Sequence, residues 1–182
     1  MKVTSLVYLR RGNEVLLLHR VGSRKQEGVD ENAGKWVGLG GKLLAGESAE
    51  ACARREVAEE SGLTALHLDY RAVITFRSDE WGEEEMHLFT CDSFSGEMGR
   101  CDEGELHWIP LDRYLSLPMW EGDRIFLTRM VDPAHPFFRL TLTYEGERLA
   151  SAVLDGRGLE KRGEEWYDPS RQRLPAWRLL SL

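Results

Sequence analysis

Residues 41–63 read GKLLAGESAEACARREVAEESGL, and no other stretch constrains the chain as tightly. Glu56, Glu59 and Glu60 stand together there, with Arg55 before them and Glu47 upstream. Spacings of three and four residues bring side chains onto one face of a helix, and a helix is expected over Ser48–Ser61. Ala49, Cys52, Ala53 and Val57 form its expected buried side, with Glu56 and Glu60 facing elsewhere. Three neighbouring carboxylates repel one another unless a cation neutralises them. A hard divalent ion, Mg²⁺ with Mn²⁺ as a substitute, suits an all-oxygen cluster, and such ions bind phosphates in turn.

A glutamate-rich helix is more often only a solvated face. The approach to this one argues otherwise. GLGGK at 38–42 leads directly toward it, and glycines permit both positive φ and close approach of backbone to a ligand. A glycine-rich turn is expected there, offering backbone donors to an anion whose counterion sits on the glutamates.

Gly41, Glu47, Arg55, Glu56, Val57, Glu59, Glu60, Gly62 and Leu63 fill every defined position of a known signature without gap or substitution. In this the chain resembles the Nudix hydrolase family. The resemblance implies hydrolysis of a nucleoside diphosphate linked to another moiety, with divalent metal. It also implies an α/β (α+β) fold, a mixed β-sheet sandwiched between helices.

The 182 residues suit one domain with a substantial core, and 42% hydrophobic with 30% charged content is ordinary for a globular protein. No apolar run could span a bilayer, and charge interrupts the start, MKVTSLVYLRRGNEV, too early for a secretory signal. A cytoplasmic location is therefore expected, without membrane association. The formal charge of −7 disfavours a broad nucleic-acid surface, and no stable nucleic-acid complex is expected. A small nucleotide remains compatible, because bound cations reverse the local field. Cys52, Cys91 and Cys101 are odd in number, lack a CxxC pairing, and read as reduced thiols.

Val3–Leu9 and Val15–His19 are expected as strands about the turn Arg11-Gly12-Asn13, followed by a polar loop over Val21–Lys35 and a short strand at Trp36–Leu39. Leu66–Phe76 and Glu85–Cys91 are expected to pair, with Glu105–Ile109 as a further strand. A helical turn over Leu111–Leu115, a second helix over Glu121–Val131 and a hairpin of Phe137–Tyr144 with Leu149–Leu154 complete the domain, placed at 1–155. Residues 156–182 read as an extension whose aromatics, among them Trp166 and Trp177, pack back on that domain or form an interface. Monomer and homodimer both stay open.

The family resemblance implies roles. Glu56, Glu59 and Glu60 would hold or orient metal, with the Gly40 carbonyl as a further ligand. Arg55 would pair with Glu47 and fix the loop to the helix, a task for a bidentate fork. Lys42 and Arg20 would contact the diphosphate, Arg20 being equally readable as an ordinary charge at a strand end. Glu103, in the turn Cys101-Asp102-Glu103-Gly104, matches a distant acidic position and would complete the metal site or act as base. Glu59, Glu60 and Glu103 remain open for proton removal.

Further landmarks, KWVGLGGKL at 35–43, VITF at 73–76, EGELHWIPLD at 104–112 and PMWEGDRIF at 118–126, resemble bacterial MutT/MutX-type 8-oxo-dGTP diphosphatases and, more distantly, the animal oxidised-purine triphosphatase. That likeness implies water attack at the β-phosphorus of a nucleoside triphosphate, releasing monophosphate and pyrophosphate. Trp120 would stack on the purine and Asp123 would read its polar edge, with Phe76 and Met86 as weaker pocket candidates that ordinary core packing also explains. Val37 stands where the animal enzyme has a base-recognising asparagine, and Gly122 where it has the first of two aspartates. Either another hydrogen-bond set reads the base, or several triphosphates are accepted. ADP-ribose, another dinucleoside diphosphate or an RNA 5′ end are alternative substrates, and non-catalytic nucleotide sensing is an alternative role.

Overall fold

The computed structural model describes residues 1–21 and 30–169. β1 (Lys2–Arg11) and β2 (Glu14–Arg20) form the expected hairpin, with Gly12 at φ 57 in the turn. They pair only at Arg10–Val15 and Arg11–Glu14. Beyond those pairs the strands part. β3 (Trp36–Val37) joins β2, and β4 (Leu39–Lys42) joins β1.

This divergence corrects one expectation. The chain at 36–42 is two strands broken at Gly38, so Gly40 and Gly41 lie in a strand rather than a turn. Neither they nor Gly38 has a positive φ. Close approach is what requires glycine here. A Cβ on Gly38 would sit 2.8 Å from the Val7 carbonyl oxygen, one on Gly40 2.9 Å from the Ser5 carbonyl carbon, and one on Gly41 2.6 Å from the Glu56 carboxyl carbon.

α1 spans Ala49–Ser61. Ser48 is its cap, accepting the Ala51 N–H at 3.1 Å, and Gly62 ends it at φ 75 with its N–H on the Ala58 carbonyl. β5 (Thr64–Ser78) and β6 (Gly82–Ser95) pair antiparallel and extend beyond the expected bounds at both ends. β7 (Gly104–Pro110) lies on β2, and a 3₁₀ turn at Tyr114–Ser116 precedes α2 (Glu121–Met130). β8 (Phe138–Glu145) and β9 (Arg148–Leu154) form the late hairpin.

β1 runs parallel to β6, and β5 parallel to β8, so the sheet is mixed, in the order β10-β9-β8-β5-β6-β1-β2-β3, where β10 is Arg157–Gly158. Strand alternation divides its buried residues between two faces. Val7, Leu9, Leu16 and Leu18 pack with Ala53 and Val57 of α1, whereas Tyr8, Val15 and Leu17 pack with Ile125 and Phe126 of α2. The fold is thus a mixed α+β arrangement, a central mixed sheet flanked by helices.

β11 (Glu160–Arg162) and β12 (Glu165–Tyr167) form a small separate hairpin. Trp166 packs against the α2-side core, and its indole N–H donates to Glu121 at 2.7 Å. Trp177 lies outside the described residues, as do Leu179 and Leu180. Among the described residues no helix is long and apolar enough to cross a membrane. All three cysteines are free thiols.

Candidate active site

The close fit of β4 against α1 creates the acidic part of the site. The Gly40 N–H donates to Glu60 Oε2 at 2.9 Å, and Glu60 is only 7% exposed. Its expected placement off the buried side is therefore corrected: the inner face of α1 continues to Glu60 because the glycines of β4 let the strand come close. Burial pushes the Glu60 carboxyl up to about 8, helped by the charges of Glu103 and Glu56, although the Gly40 N–H and Arg20 work the other way. Glu56, one turn earlier, lies under Gly41 and accepts from Arg55 Nη1 at 2.6 Å. Burial raises its carboxyl too, against the pull of Arg55. Glu59 is 60% exposed and reaches Arg55 at 3.3 Å, away from the residues that line the cavity.

Arg55 organises the loop beside them. Its Nε and Nη2 each bond one Glu47 oxygen at 2.9 Å, and Nη2 also donates to the Lys42 carbonyl at 3.2 Å. Arg55 and the Leu44 N–H hold the Glu47 carboxyl down to about 2, and Glu47 raises the guanidinium in return.

The opposite wall comes from β2 and the turn before β7. Gly104 pairs with Arg20, and a Cβ on it would collide with the His19 carbonyl, so this turn presses onto the end of β2 and delivers Glu103. Arg20 donates through Nη1 to Glu103 and through Nη2 to Asp30 at 3.0 Å. Burial works against its charge, but these two carboxylates outweigh it and raise the guanidinium. Arg20 is thus a gripped wall residue and not a loose strand-end charge. Lys42 is exposed on the rim.

A single cavity of about 550 Å³ joins Glu56, Glu60, Glu103, Gly40, Gly41, Arg20 and Lys42 to an aromatic part containing Trp120, Phe76, Met86, Val37 and Asp123. Trp120 meets Phe76 edge-on at 5.8 Å and Tyr144 at 5.1 Å. Lys35 Nζ covers one face of the Trp120 ring at 4.3 Å and does not itself line the cavity. Asp123 is buried, and burial pushes its carboxyl up to about 7 against Arg124 and Lys35. Beside it the Gly122 N–H bonds Tyr144 Oη at 2.8 Å, and a Cβ would stand 2.5 Å from Leu142 Cδ1, so the leucine tip would have to shift.

Several lining residues escaped the sequence reading. Asn32 accepts the Trp120 indole N–H at 2.9 Å, and Thr4 and Lys2 bond Glu84 at 2.6 and 2.9 Å on the rim. Asp30 and Asn32 belong to a stretch that reads only as polar loop, and no local pattern marks them.

Among the described residues no three His, Cys, Asp or Glu side chains are gathered closely enough to hold a metal ion in this arrangement. Each inner carboxylate is instead turned to a protein donor: Glu56 to Arg55, Glu60 to Gly40, Glu103 to Arg20. The donor set nevertheless fits a hard divalent cation. It is all oxygen, and the carboxylates of Glu56 and Glu103 raise that of Glu60, a mutual repulsion that a cation would relieve.

Comparison with known proteins agrees with this construction. The NUDIX domain profile matches residues 1–130. The oxidized purine nucleoside triphosphate hydrolase of Danio rerio is 36% identical over 133 residues, 71% of this chain and 80% of its own. The uncharacterized Nudix hydrolase YvcI of Bacillus subtilis (strain 168) is 31% identical over 160 residues, 85% of this chain and 94% of its own. The crystal structure of the mutator MutT protein from Bacillus halodurans superposes with a TM-score of 0.73 at 27% identity, covering 85% of this chain and 98% of that one. With the profile spanning β1 to the end of α2 and the signature carboxylates Glu56 and Glu60 on one cavity, the chain belongs to the Nudix hydrolase family and is a hydrolase of nucleoside diphosphate-linked substrates.

Proposed function

We propose that the protein is a divalent-metal-dependent nucleoside triphosphate diphosphatase acting on 8-oxo-dGTP or a related oxidised purine nucleotide. Water attacks the β-phosphorus, and the products are the monophosphate and pyrophosphate. One observation carries this reading: the carboxylates on α1 and the aromatic wall around Trp120 share a single cavity of about 550 Å³, large enough for a nucleotide. The activity for which the Danio rerio relative is named supports the substrate class.

Glu56 and Glu60, with the Gly40 carbonyl, would hold the Mg²⁺, for which Mn²⁺ could substitute. The ion, when bound, neutralises phosphate oxygen charge and lowers the pKa of a water. Gly40 N–H orients Glu60, and Arg55 holds the 42–47 loop in place through Glu47. Lys42 reaches the phosphate chain from the rim, and Arg20 contributes a second positive charge while steering Glu103. Glu103, 39% exposed on the cavity wall, is assigned to proton removal, since Glu60 is buried and Glu59 lies off the cavity. Trp120 stacks on the base from the cavity wall, Phe76 and Met86 complete the apolar wall, and Asp123 meets the base edge.

The test is a panel of dGTP, 8-oxo-dGTP, other triphosphates and ADP-ribose with Mg²⁺ or Mn²⁺. The highest kcat/KM is expected on the oxidised purine triphosphate. Preference for ADP-ribose would reassign the substrate, and binding without turnover in both metals would make the protein a sensor.

A further inference from the structure

Val37 lines the cavity with an apolar side chain, yet the cavity is not without a neutral amide. Asn32 enters it from a different element, the loop ahead of β3. Its orientation is determined by chemistry. The indole N–H of Trp120 can only donate, so the Asn32 atom 2.9 Å from it is the carbonyl oxygen, and the amide cannot be flipped. Both hydrogens therefore sit on Nδ2, which has no partner among the described residues.

The backbone beneath is equally fixed. The Asn32 N–H donates to Asp30 Oδ1 at 2.9 Å, Asp30 is held by Arg20, and the Lys35 N–H closes a turn onto the Asn32 carbonyl at 2.9 Å. Lys35 in turn backs the Trp120 ring. Asp123 is tied to the same tryptophan, its N–H bonding the Trp120 carbonyl at 3.0 Å. A pure donor and a carboxylate thus line the cavity beside the same tryptophan. Guanine-type bases present a carbonyl acceptor next to ring and exocyclic N–H donors, and adenine-type bases present the reverse.

We infer that Asn32 is a base-contacting residue, whose Nδ2 donates to the 6-oxo group of a purine and selects 6-oxopurine over 6-aminopurine nucleotides. This deepens the reading under Proposed function and rests on it for the location of the base.

Direct binding of nucleoside 5′-monophosphates, measured by calorimetry with Mg²⁺ present, separates the two. GMP and AMP are compared on the wild-type chain, Asn32→Asp and Asn32→Ala, with thermal melts as a check on folding. Asn32→Asp keeps an oxygen for the Trp120 indole but replaces the free donor by an acceptor. The wild type should favour GMP by roughly 10-fold to 100-fold. That ratio should collapse or invert in Asn32→Asp and fall toward unity in Asn32→Ala. A residue that only props Trp120 would weaken both nucleotides together. An unchanged ratio in Asn32→Asp, no GMP preference in the wild type, or no base binding at all would overturn the inference. A retained GMP preference without turnover of any triphosphate would instead overturn the diphosphatase reading and leave Asn32 as assigned.

Discussion

Arg55 holds Glu47 through two parallel hydrogen bonds, Nε to Oε1 and Nη2 to Oε2, both 2.9 Å long. The pair closes the loop between β4 and α1, because the same guanidinium also bonds the Lys42 carbonyl and the Glu56 carboxylate. One planar fork therefore sets the position of a cavity carboxylate and of the strand that faces it.

A lysine at this position would keep the charge and lose the geometry. Arg55→Lys is expected to lower kcat about 10-fold or more, the scale of a lost orienting contact, while circular-dichroism melts show a drop of only a few degrees. Equal losses in Arg55→Lys and Arg55→Ala would support the fork, and full activity in Arg55→Lys would contradict it.

Glu60→Gln separates charge from shape. The glutamine oxygen can still accept the Gly40 N–H, and a neutral group in this buried position no longer faces the charges of Glu56 and Glu103. Turnover with Mg²⁺ should fall at least about 100-fold, and the melting temperature without metal should hold or rise. Manganese binding, followed by electron paramagnetic resonance, should weaken in parallel.

Asp123 gives stability a pH signature. Its carboxyl moves from an ordinary 3.8 up to about 7 on burial, so the folded protein holds this proton more tightly than the unfolded chain does. Stability contributed by the protonated form is complete below pH 4 and is lost as pH climbs toward 7. Asp123→Asn should flatten that window, melting higher than wild type by roughly 3 °C or more at pH 8 and alike below pH 4. Parallel melting curves across pH 4–8 would show that Asp123 is not the group responsible.

The helix and its acidic face were legible because they are local. Period, spacing and the signature all lie within residues 41–63, and α1 forms where expected. The strands and the local pairing of β5 with β6 and β8 with β9 were legible for the same reason, whereas β1 with β6 and β5 with β8 join segments far apart in the chain. Glycine was where legibility failed: GLGGK is compatible with a turn or with close packing, and only the neighbouring carbonyls of Ser5 and Val7 decide for packing. The burial of Glu60 follows from that long-range choice and could not be read from helical period. Asn32 was invisible for a related reason, since its partner Trp120 lies 88 positions away. Gly122 looked like the loss of a polar reader; its N–H in fact bonds Tyr144 Oη, and Leu142 Cδ1 stands 2.5 Å from where a Cβ would be.

Hydrolysis of 8-oxo-dGTP in ¹⁸O-labelled water with Mg²⁺, read by mass spectrometry of both products, tests the central claim most directly. Attack at the β-phosphorus predicts unlabelled monophosphate and pyrophosphate carrying one ¹⁸O. Label in the monophosphate, release of orthophosphate, or no metal-dependent turnover would contradict it.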